Sequence, residues 1–74
     1  MKDLKTFLRE LFPAIDFDKE EALIESGAID SLGVFKLIAA LEEEYSISIP
    51  MDEVSVENFN SIPSISSLID KLAK

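Results

Sequence analysis

Seventy-four residues make one small domain, near the lower limit for a core that holds together without disulfides or metals. With 15 Asp+Glu against 7 Lys+Arg the formal net charge is −8, which repels nucleic acid and anionic lipid, since both are bound mainly through Lys and Arg. There is no Cys and no His, so thiolate and imidazole metal ligands are absent, as is the usual general base at neutral pH.

An apolar fraction of 47% belongs to a globular domain and not to a disordered acidic tail. No charged–apolar–small signal pattern follows Met1, and the longest unbroken apolar run is Leu37 to Leu41. Secretion by a signal peptide and membrane spanning are therefore not expected; a single cytoplasmic domain over residues 1–74 is.

In residues 2–12, Leu4, Phe7, Leu8 and Leu11 fall at i, i+3, i+4 and i+7, one face of a helix that Pro13 stops. Residues 13–30 have no sustained period. Ile15, Phe17, Leu23 and Ile24 are candidate anchors there, and Gly27 supplies a flexible turn. A second helix reads clearly from Ser31 to about Glu44. Ser46–Ile49 alternates like a strand, but Pro50 ends it, so the strand signal is weak. About Val54–Asn60, apolar at Val54, Val56 and Phe59, is either a short helix or an irregular turn. The last helix, near Ser64–Leu72, sets Ile65, Leu68, Ile69 and Leu72 on one face. Pro63 suits its first turn, and Lys71 and Lys74 complement its C-terminal dipole. The pattern is that of one all-α domain without repeats.

The charge is unevenly distributed. Residues 1–15 are net +1, residues 16–31 hold six acids and only Lys19, and Lys36 is the sole charge in residues 32–41. Glu42, Glu43, Glu44, Asp52, Glu53 and Glu57 make residues 42–57 net −6. Ordinary solubility accounts for a charge of this size. An acidic docking surface for basic partner proteins accounts for it equally.

The second helix is the most informative segment. At about 100° per residue from Ser31, Leu37, Leu41, Val34, Tyr45 and Ile38 form a core stripe between roughly 240° and 340°. Phe35, Ala39 and Leu32 form a second apolar strip near 40°, 80° and 100°, flanked by Glu42 and Glu43. A helix in a small bundle needs one buried face, so the second strip is either a widened core face or an exposed docking patch ringed by carboxylates. Leu32 favours docking; Phe35 fits both. Ser31 stands at the helix start, where backbone N–H groups and the dipole stabilise an anion. It serves as N-cap itself, or Asp30 caps and the Ser31 hydroxyl faces solvent. Without His, no Ser-His-Asp nucleophile can be built. An unactivated, exposed serine at a positive helix end is a poor catalyst but a suitable place to attach a phosphate-linked group.

Gly27-Ala28-Ile29-Asp30-Ser31-Leu32, then Leu37 through Leu41-Glu42-Glu43-Glu44-Tyr45 and Ile47-Ser48-Ile49-Pro50, resembles the acyl carrier proteins over nearly the whole chain. The resemblance implies a small four-helix bundle: three main helices plus a short third helix. It implies 4′-phosphopantetheine on Ser31, with Asp30 and Leu32 beside it, transferred from coenzyme A by a phosphopantetheinyl transferase. Partner docking then falls on Leu32, Phe35, Ala39, Glu42 and Glu43. The function implied is carriage of acyl or aminoacyl groups as thioesters, without catalysis by the chain. Its partners would be acyl-loading and acyl-processing enzymes with basic docking patches. A monomer is expected. The core between the second and third helices could also shelter cargo, with Leu41, Ile49, Val56, Phe59 and Ile65 as candidate walls.

Three departures bear on which carrier this is. Gly33 and Lys36 stand where fatty-acid carriers usually place acids, Phe35 is bulkier than the usual aliphatic residue, and Pro50 to Phe59 is longer. These features point to a specialised carrier, for polyketide, nonribosomal peptide, modified lipid or cell-wall acylation; a general fatty-acid synthesis carrier is the competitor. A cofactor-free helical interaction domain would leave Asp30-Ser31-Leu32 unexplained. A calcium loop counted from Asp16 finds Glu21 where Gly is needed and Gly27 where Glu is needed.

Overall fold

The computed structural model describes residues 3–20 and 22–73. Lys2, which the first periodic segment includes, and Lys74 lie outside the described residues.

Four helices follow one another: α1 (Leu4–Leu11), α2 (Ser31–Tyr45), α3 (Val56–Phe59) and α4 (Ile62–Leu72), with a 3₁₀ turn at Met51–Glu53 before α3. Each α-helix starts on a side-chain oxygen that accepts a backbone N–H of the first turn. Asp3 accepts from Thr6, Asp30 from Gly33, Ser55 from Asn58 and Ser61 from Ser64. α4 therefore begins two residues earlier than its apolar period suggests. Ser61 is the cap, and Pro63 sits in the first turn, where its missing N–H costs nothing. The segment near Val54–Asn60 resolves into a short helix, as one of its two readings has it.

Both apolar faces of the outer helices point inward. Leu8 of α1, Leu37 and Leu41 of α2, Phe59 of α3, and Ile65, Leu68 and Ile69 of α4 are buried in one core. α4 packs against α1 and α3. Val34, Ile38 and Tyr45 complete the α2 stripe as half-buried residues, and the Phe7 and Tyr45 rings meet edge-on at 6.0 Å. From the long connection, Phe17, Leu23 and Ile29 are buried, while Ile15 and Ile24 pack against the core as half-buried residues. Ile29, not among the expected anchors, is one of the deepest, at 2% exposure.

The Ser46–Ile49 alternation belongs to no strand among the described residues. Ser46 leaves α2 in a left-handed conformation with φ of 54° and returns its N–H to the Glu42 carbonyl. Ile47 and Ile49 then enter the core while Ser46 and Ser48 face out. Period two here means an extended segment laid on a core, which has the same in–out geometry as a half-buried strand.

The loop before α2 is tied to α1 at its acidic start. Asp18 accepts hydrogen bonds from Lys5 and from Arg9, the latter at 2.8 Å. The Asp16 side chain accepts from Asp18 N at 3.1 Å in a local turn. These two acids thus close a turn and pair with α1.

Candidate functional site

Ser31 is the first residue of α2 and is exposed. Asp30 performs the capping, with Oδ1 accepting from Gly33 N at 2.8 Å. That decides between the two readings: the Ser31 hydroxyl is left outside the cap, facing solvent at the positive end of a 15-residue helix. Gly33 has a packing reason. A Cβ there would stand 3.0 Å from Ile29 Cγ2 and 3.3 Å from Asp30 Oδ1. A carboxylate at this position would collide with the buried end of the loop and with the cap.

The second apolar strip is an exposed surface. Leu32 is 79% exposed and Phe35 61%, and Ala39 and Glu43 are exposed as well. Their spacings of three and four residues align them along one side of α2. Glu42 differs. It is half-buried, and its Oε2 accepts from Ile49 N at 2.8 Å. The chain turns back at Ser46 and brings Ile49 N onto this carboxylate. Glu42 thereby satisfies the backbone of that segment. Lys36, which interrupts the acidic surface, lies over the Phe12 ring at 5.3 Å from the centroid, so its charge leans towards the end of α1.

Beside Ser31 opens a cleft of about 300 Å³ between α2 and α3. Ile24, Val34, Phe35, Val54, Val56 and Phe59 give it apolar walls, with Ser31 and Ser55 at the polar edge. Of the five expected wall residues only Val56 and Phe59 line it. Leu41, Ile49 and Ile65 are plain core, 9% exposed at most. Ile24, Val34, Phe35 and Val54 are walls that the sequence does not signal as such. Val34 and Phe35 belong by helical angle to the core stripe and the second strip, and helical angle carries no information on how far α3 covers them. Val54 and Ile24 come from irregular segments with no period to place them.

A family model described as a phosphopantetheine attachment site matches residues 3–72. The D-alanyl carrier protein of Streptococcus uberis is 33% identical over 64 residues, covering 86% of this chain and 81% of that protein. The D-alanyl carrier protein of Streptococcus pyogenes serotype M1 is 32% identical over 53 residues, covering 72% of this chain and 67% of its own length. No solved structure matches the chain.

Proposed function

The chain belongs to the acyl carrier protein family, whose domain takes phosphopantetheine covalently, and on that premise we propose that Ser31 is the attachment residue and that the cargo is an aminoacyl group, D-alanyl first. The observation behind the site is the position of one hydroxyl: exposed, freed from capping duty by Asp30, and at the mouth of an apolar cleft. The residues fit the group. The α2 N-terminus would hold the phosphate by its partial positive charge, and the apolar cleft walls would hold the uncharged part of the arm. When bound, phosphopantetheine supplies the thiol on which cargo is held as a thioester, which is why a chain without Cys can carry it.

Ser31 presents its oxygen; Asp30 keeps the helix start rigid; Leu32, Phe35 and Ala39 give partners a small apolar contact. Exposed Glu43 steers basic partner surfaces, with Glu42 at the edge of the patch contributing charge while bonded to Ile49. Chemistry is left to those partners: a phosphopantetheinyl transferase, a carboxyl-activating ligase that loads the arm, and an acceptor enzyme of cell-wall acylation. Residues 1–74 act as one monomeric carrier domain. None of the described helices is long and apolar enough to cross a membrane.

One feature favours a second cargo, an aliphatic acyl chain: the almost wholly apolar walls of the cleft. Intact mass after incubation with coenzyme A and a broad-specificity transferase tests the site. One phosphopantetheine should add to the wild type and none to Ser31→Ala. An unmodified wild type, beside a control carrier that loads, would remove the assignment. The modified protein is then offered D-alanine or octanoate with ATP and a ligase for each. Mass addition from octanoate alone would replace the aminoacyl reading with the aliphatic one.

A further inference from the structure

The last part of the long loop hangs on one residue, Asn60, more than thirty positions further along the chain. Leu23 N donates to the Asn60 carbonyl oxygen at 2.7 Å. Ile24 N and Glu25 N both donate to Asn60 Oδ1, at 2.9 and 3.1 Å. Asn60 Nδ2 donates in return to Glu25 Oε1 at 2.7 Å. Three consecutive loop N–H groups are thus satisfied by a residue at the junction of α3 and α4, directly after buried Phe59. The loop closes on itself as well: Ile29 N donates to Leu23 O at 2.9 Å. Residue 29 is followed at once by the Asp30 cap and Ser31. Ile24, held by the Asn60 side chain, is a wall of the cleft at Ser31, and Phe59 is another.

The requirement is specific to an amide of this length. Its oxygen accepts two N–H bonds while its NH₂ meets a carboxylate. Alanine would leave the half-buried Ile24 N–H without its partner, and such a group is costly to leave unpaired. Aspartate keeps the acceptors but sets a second negative charge against Glu25.

We infer that Asn60 is the positioning residue of the attachment site. It holds loop 23–29 to the α3–α4 junction, and so fixes both the approach of the chain to Ser31 and the Ile24 wall, in the shape the transferase must engage. The inference rests on Ser31 being the attachment residue.

Modification by coenzyme A and transferase is followed at steady state, at a temperature where circular dichroism shows every variant folded. The variants are Asn60→Ala, Asn60→Asp, the double variant Asn60→Asp/Glu25→Gln, and Ile69→Val. The last loosens the α4 core at a side chain that takes no part in the hydrogen bonds of Asn60. Amide exchange at Ile24 and Glu25 is read in parallel. Asn60→Ala should lower kcat/KM about tenfold and speed exchange at both amides, and Asn60→Asp, which keeps both acceptor bonds, should lower kcat/KM by less. The double variant should recover to within about twofold of wild type, because the new amide at position 25 can donate to the new carboxylate at position 60 with net charge unchanged. Ile69→Val should leave kcat/KM within about twofold. Wild-type kcat/KM in Asn60→Ala, or a loss that Ile69→Val matches and the double variant does not recover, overturns the inference alone. A wild type that accepts no phosphopantetheine overturns the Ser31 assignment and this inference with it.

Discussion

Replacing Leu32 by alanine separates docking from folding. Leu32 is 79% exposed, so only about a fifth of its surface is removed from water in the folded chain. Full burial of a leucine is worth about 1.5–3 kcal/mol, so the folded state loses about 0.5 kcal/mol, and alanine's higher helix propensity returns about 0.2 kcal/mol. For a domain of this size that is a fall in Tm of about 3 °C or less. Leu37, five residues along the same helix and fully buried, should cost about 2–5 kcal/mol on the same truncation. At the docking surface the ranking reverses. Removing an apolar side chain from the centre of a small contact costs about 1–2 kcal/mol, a fall of roughly 5–30-fold in kcat/KM for modification. The loss should appear in KM with kcat nearly unchanged. Thermal unfolding by circular dichroism and steady-state modification kinetics on Leu32→Ala and Leu37→Ala make the comparison. If Leu32→Ala melts as early as Leu37→Ala, or is modified as efficiently as wild type, the docking assignment fails.

Gly33→Ala sets a helix-propensity gain of about 1 kcal/mol against a Cβ 3.0 Å from Ile29 Cγ2, in a side chain too buried to withdraw. Overpacking of this kind costs about 1–3 kcal/mol, a net loss of up to about 2 kcal/mol, so Tm should fall by up to about 8–16 °C; a more stable variant would refute the packing account of this glycine. The hydrogen bond from Lys5, then the attraction of Arg9, hold the Asp18 carboxyl below its ordinary value of 3.8. Its folded pKa is depressed, so its contribution to stability is present above the unfolded value and is lost as pH falls through the folded one. Asp18→Asn should therefore melt earlier than wild type at neutral pH, with a gap that closes on acidification; a gap of constant size down to the acid limb would show that the pairing contributes nothing.

Asp30-Ser31-Leu32 was legible because every part of it is local. A capping carboxylate, an exposed first-turn serine and an apolar residue on the strip away from the core stripe need only the sequence and the pitch of a helix. Even there the sequence allowed two caps, and the 2.8 Å bond from Gly33 to Asp30 decided between them. Glu42 shows where the wheel stops being sufficient. Its angle is that of a docking residue, but the return of the chain after Ser46 gives its carboxylate a backbone partner. Gly33 shows the same limit from the other side. Along the chain it is a missing acid; in three dimensions any Cβ would press on Ile29 at 3.0 Å.

Three helical segments, the stripe that buries Leu37 and Leu41, and the serine at the start of α2 are written in local sequence, since helical period and capping are set by neighbours within a turn or so; the segment at Val54–Asn60 stays open between helix and turn at that level. The tertiary structure alone decided which apolar residues become cleft and which become core, and how the loop before Ser31 is held. Those depend on where α3 comes to rest, and on bonds such as Asn60 to Ile24 and Glu25 that join residues far apart in sequence. No local pattern encodes them, because their partners are chosen only when the core closes.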